Sequence, residues 1–144
     1  MKTIEITLYS FTELSEKAKE KALTNYQNTH YFYFEDEALE SLKAFFDEIG
    51  VKLKNYEIEW LCPNNSWVRY EGTPSGKFIK ENLRGFWFDY PLTKTWNKTK
   101  NIEESLWAFF LEIQKDCEYQ FSEEGFIEHC EANEIYFDEK GNQF

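Results

Sequence analysis

The chain has 144 residues, 42% of them apolar and 19% aromatic, and a formal net charge of −11. So much packing material excludes a disordered chain, and the length predicts one domain with a core of its own. A chain this acidic is repelled by a phosphate backbone and attracted by a basic protein surface, so direct nucleic-acid binding is not expected.

At the start, Ile4, Ile6 and Leu8 alternate with Thr3, Glu5 and Thr7, the period of two of a half-buried strand. Nothing here resembles the apolar run of a signal peptide, and no later window could span a bilayer, so a cytoplasmic protein without a membrane partner is expected. A helix follows, with Thr12 or Ser15 as its cap and Ala18, Ala22, Leu23 and Tyr26 as a narrow apolar stripe. A stronger helical stripe runs through Ala38, Leu39, Leu42, Phe45, Phe46 and Ile49. Glu35, Asp36 and Glu37 suit its positive end, and Gly50 suits a left-handed closing residue.

From Val51 the period changes to two, through Leu53, Tyr56, Ile58, Trp60 and Cys62. The turn signal Pro63-Asn64-Asn65 and the return "SWVRYEG" predict a hairpin, and "FWFDY" over 86–90 reads as a third strand. The basic stretches "TPSGKFIKENLRG" and "PLTKTWNKTK" read as loops, making residues 62–100 a basic, loop-rich middle. Asn101 with Glu104 can cap a helix bearing Ile102, Leu106, Phe109, Phe110, Ile113 and Cys117. Ser122 can cap a short final helix, "EEGFIEHCEAN", and "EIYF", "DEKG" and "NQF" read as a small hairpin. The order predicts a single α+β domain over residues 1–144, with an antiparallel sheet packed against about four helices.

Charge is uneven along the chain. Residues 1–51 carry five Lys/Arg against ten Asp/Glu, residues 52–100 nine against five, and residues 101–144 two against twelve. Cys62, Cys117 and Cys130 are far apart and odd in number. They predict reduced, mostly buried thiols rather than disulfides or a zinc site.

Several motifs have a chemical reading. "GTPSGK" over 72–77 resembles a phosphate loop, but three residues separate its glycines instead of four, and Phe78 stands where Ser or Thr would hold magnesium. His129 and Cys130 are neighbours, and on a helix neighbouring side chains point about 100° apart, too divergent for a metal pair or a nucleophile–base pair. No catalytic residue, metal or cofactor is therefore expected. Glu123, Glu124, Glu128, Glu131, Glu134, Asp138 and Glu139 form a candidate acidic partner-binding surface. Trp67, Trp87, Trp96 and Trp107 are more indole than one small core readily takes, and Trp67, Trp87 and Trp96 are candidate interface anchors.

Three stretches, "YSFTELSEKAKEKALTNY" (9–26), "LESLKAFFDEIGVKLKNYEIE" (39–59) and "IEHCEANEIYFDEKGNQF" (127–144), resemble a widespread family of small acidic phage and prophage proteins. That family shares an ELS-x-x-AK-x-KA opening and an IEANEYEF-x-x-DG ending. The resemblance covers about two-thirds of the chain and brings no catalytic residues with it. It implies a phage product in the cytoplasm of an infected bacterium, a setting in which small acidic proteins often inhibit host defence. The expected function is an anti-CRISPR inhibitor that binds a Cas effector or surveillance complex through its acidic surface and blocks nucleic-acid binding. The alternatives are a small hydrolase acting on a nucleotide-like substrate through carboxylates and His129, or a phage adaptor protein. Oligomeric state stays open.

Overall fold

The structure is a computed structural model and describes residues 2–144. Among them are five helices and a two-stranded antiparallel sheet, so the chain is α+β. The described residues gather into two compact units, 2–31 with 118–144, and Phe32–Cys117.

In the first unit, α1 (Glu16–Thr29) begins where the Ser15 hydroxyl accepts from the Ala18 N–H at 3.2 Å. Ser15 is thus the cap, and Thr12 lies in a short 3₁₀ turn, Phe11–Glu13, before it. Ala18, Ala22 and Tyr26 are buried against Phe11, Leu14, Phe126, Cys130 and Phe137. The rings of Phe11 and Phe126 meet edge to face at 5.1 Å, and Tyr26 stacks on Phe126 at 4.5 Å. Pairs of this kind add about 0.5–1.5 kcal/mol to the burial itself. The predicted opening strand does not form: residues 2–8 have no regular structure, and Ile4 and Ile6 are exposed. Tyr9 alone bridges Phe137, exchanging backbone hydrogen bonds of 2.9 and 2.8 Å. Phe137 also bridges Gln143, so the predicted terminal hairpin is reduced to isolated bridges.

In the second unit, α2 (Glu35–Ile49) matches its periodicity, with Ala38, Leu42, Phe45, Phe46 and Ile49 buried. Gly50 closes it at φ +74°, and the Val51 N–H reaches back to the Phe46 carbonyl at 3.1 Å, the pattern of a left-handed helix stop. Strands β1 (Lys52–Glu57) and β2 (Trp67–Glu71) pair antiparallel, with an irregularity between Leu53 and Asn55. The predicted hairpin therefore forms, but Ile58, Trp60 and Cys62 lie beyond its ladder.

The third predicted strand does not form. Residues 86–88 turn, and Asp89–Thr99 is a helix, α3, which takes up most of the stretch read as the loop "PLTKTWNKTK". Its cause is Asp89, whose side chain is fully buried. One carboxyl oxygen accepts from the backbone N–H groups of Leu83 (3.0 Å), Arg84 (2.9 Å), Gly85 (2.9 Å) and Phe86 (3.3 Å). The other accepts the Ser41 hydroxyl at 2.7 Å. Pro91 falls in the first turn, where a missing N–H costs nothing. Helix α4 (Ile102–Gln120) starts where Asn101 Oδ1 accepts the Glu104 N–H at 3.0 Å, and it buries Ile102, Leu106, Phe109, Ile113 and Cys117.

Candidate acidic docking face

Helix α5 (Glu123–Ala132) sets out the acidic residues of the first unit. The Ser122 hydroxyl accepts the Gly125 N–H at 3.1 Å and donates to the Tyr119 carbonyl at 2.6 Å. A Cβ at Gly125 would overlap that same carbonyl, so only glycine lets the helix start this close to the chain before it. Phe126 and Cys130 then face the core, which turns Glu124, Glu128 and Glu131 outward at positions i, i+4 and i+7.

Glu123, Glu124, Glu128, Glu131, Glu134 and Glu139 are all exposed, and Lys140 is the sole Lys or Arg in residues 118–144. Glu128 also accepts a hydrogen bond from the Tyr119 hydroxyl, which raises that phenol to about 12. Asp138 differs from the rest. Its carboxylate accepts the N–H groups of Lys140 (2.9 Å) and Asn142 (3.0 Å) and the Asn142 side-chain amide (3.0 Å), and these bonds hold its pKa below the ordinary value. It builds the turn, which Gly141 completes at φ +87° against the Ala18 carbonyl.

Two of these carboxylates are placed against local stability. Glu131 lies in the last turn of α5, where the helix end is already partly negative. Glu134 has φ +52°, a left-handed conformation that ordinarily goes to Gly or Asn. The Ile135 N–H closes the helix onto the Cys130 carbonyl at 2.9 Å. Both glutamates border a groove of about 280 Å³ whose walls include Phe11, Ile127, Cys130 and Ile135.

His129 and Cys130 diverge. The imidazole lies beside Tyr26 (5.2 Å between ring centres) and His30 (5.9 Å), with the Asn133 amide 3.3 Å from Nδ1. Burial and the neighbouring His30 lower its pKa. Burial, helped by Glu131, pushes the Cys130 thiol up to about 11, the opposite of what an activated nucleophile needs. Among the described residues no three His, Cys, Asp or Glu side chains are grouped so as to hold a metal ion. No helix among them is long and apolar enough to cross a membrane.

The candidate tryptophans separate, all in the second unit. Trp87 is 62% exposed, its indole N–H bonded to Glu112 and its ring 5.9 Å from Tyr90. Trp67 is partly exposed beneath the Arg69 guanidinium at 4.9 Å. Trp96 is not an anchor: it is 1% exposed, its N–H donates to the Lys77 carbonyl at 3.2 Å, and it packs on Phe45. Its neighbours Leu92 and Thr93 are buried with it because "PLTKTW" is helix and not loop. Phe78, Trp107 and Phe34 are further exposed aromatics of this unit. Phe78 lies in an irregular loop, where no period marks which way a side chain faces. Cys62 is exposed, and Cys117 and Cys130 are buried.

Comparison with family models, with curated proteins and with solved structures finds no match to this chain.

Proposed function

We propose that the protein is a phage-encoded inhibitor of bacterial immunity, an anti-CRISPR protein working in the host cytoplasm. It binds a Cas effector or surveillance complex and covers the basic surface that would hold nucleic acid. One observation carries the reading: six exposed glutamates, from Glu123 to Glu139, project from α5 and the turn after it with Lys140 as their one sequence-local cation. Such a field speeds encounter with a Lys/Arg-lined channel and repels nucleic acid itself. The exposed rings of Trp87 and Trp67 offer the second unit's apolar anchors. The resemblance to small acidic phage proteins supplies the biological setting. The hydrolase alternative, which would use carboxylates and His129, finds that imidazole packed beside the Tyr26 and His30 rings.

The test is a plaque assay on a CRISPR-immune host, with binding to the purified effector measured in parallel. Expression of the protein should restore plaques. The combined change Glu124→Gln, Glu131→Lys and Glu139→Lys should abolish both effects while leaving the helical circular dichroism intact, because it relieves the charge clash at the α5 end. Full protection by that variant would show the wrong surface. Failure of the wild-type protein to protect or to bind any effector would remove the function.

A further inference from the structure

The groove beside α5 has a floor and a rim of different chemistry. Phe11 and Cys130 are buried beneath it, and Ile127 and Ile135 are half-buried along it. The thiol contributes no charge, since it stays protonated at neutral pH. Glu131 and Glu134 stand exposed at the edge. At about 280 Å³ the groove sits at the lower end of the range of pockets that enclose small-molecule ligands, which begins at roughly 300 Å³. It is the size of a protruding side chain or two. An apolar floor under a carboxylate rim fits a guanidinium or ammonium head carried next to hydrocarbon.

We propose that this groove seats a short partner segment in which an apolar side chain is flanked by arginine or lysine, the apolar group entering the floor and the cations meeting Glu131 and Glu134. This rests on the reading of the acidic face as a docking surface, and gives that face a point of register that charge alone lacks. It also accounts for the placement of Glu134. A glycine at φ +52° would serve the helix stop better, so a glutamate at this position costs stability.

The probe is acetyl-Gly-Arg-Leu-Arg-Gly-amide, titrated to a few millimolar into the full chain and followed by NMR. Its control is the same peptide with glycine for leucine, equal in charge. The leucine peptide should bind at least about tenfold more tightly than the control and shift the methyl and ring signals of Phe11, Ile127 and Ile135. Glu134→Gln should weaken it by a similar factor with little change in Tm. Glu134→Gly should weaken it equally yet raise Tm by about 3 °C. Equal binding of the two peptides, or shifts confined to Glu123, Glu124 and Glu139, would overturn the groove and leave the acidic face standing. Binding of neither peptide would overturn both.

Discussion

Asp89 holds more of the second unit than any other single polar residue. Four N–H groups and the Ser41 hydroxyl converge on it at zero exposure. Removing the carboxyl group leaves the buried Ser41 hydroxyl and four part-buried N–H groups without this acceptor, and each unmet buried donor costs about 1–3 kcal/mol, though not additively. Asp89→Ala should therefore destabilise the protein by about 3–5 kcal/mol in urea denaturation, and Asp89→Asn, which keeps the size and one acceptor oxygen, by less. A loss under about 1 kcal/mol for the alanine variant would mean that the turn at 83–86 is held by something else. An aspartate in "FWFDY" gives no sign of this in sequence. Its donors are backbone groups, and backbone groups look alike in every sequence.

Along single elements, the legible parts were those in which one side of a repeat meets water. Helix α2 followed its period of 3.6 to the closing glycine, and Ser15, Asn101 and Ser122 capped the helices they were expected to cap. The failures are cases where a local pattern lacked its tertiary partner. Residues 3–8 alternate as a strand should, but the Asp138 turn bends the chain away just after Phe137, so the ladder begun at Tyr9 cannot lengthen. "FWFDY" has strand-forming residues, but the bonds to Asp89 draw the backbone into a turn. The acidic face was legible as an excess of carboxylates. The groove was not, since Phe11 and Ile135 reach it from positions more than a hundred residues apart.

Helix α4 offers a test on pH. Asp116 lies one turn beyond Glu112, and partial burial followed by that like charge raises its pKa to about 6 from an ordinary 3.8. The folded state thus binds the proton more tightly than the unfolded chain. The stabilisation is complete below pH 3.8 and is lost as pH rises through about 6. Asp116→Asn should accordingly raise Tm at pH 7 and flatten the Tm profile between those two values. A variant profile parallel to the wild type would mean that Asp116 titrates normally.

At the scale of the molecule, 27 carboxylates face 16 Lys and Arg. Among the described residues, Lys19 pairs with Glu16 at 3.6 Å and Lys54 with Glu71 at 3.2 Å, which leaves most of the excess carboxylates without a cation of their own. Repulsion is therefore the larger electrostatic effect on the folded state, and salt should screen it. Raising NaCl from about 10 to about 150 mM should raise Tm; a fall would show that favourable pairs outweigh the excess charge. The same excess has a local use at the unpaired segment near the start of the chain. "TIEIT" over 3–7 reads the same in both directions. Two copies laid antiparallel with Ile4 against Ile6 would bring Glu5 directly opposite Glu5, and like charges so placed oppose pairing. The register that would best pair these exposed isoleucines is thus the one in which the central glutamates repel each other, a penalty on antiparallel self-pairing of the segment.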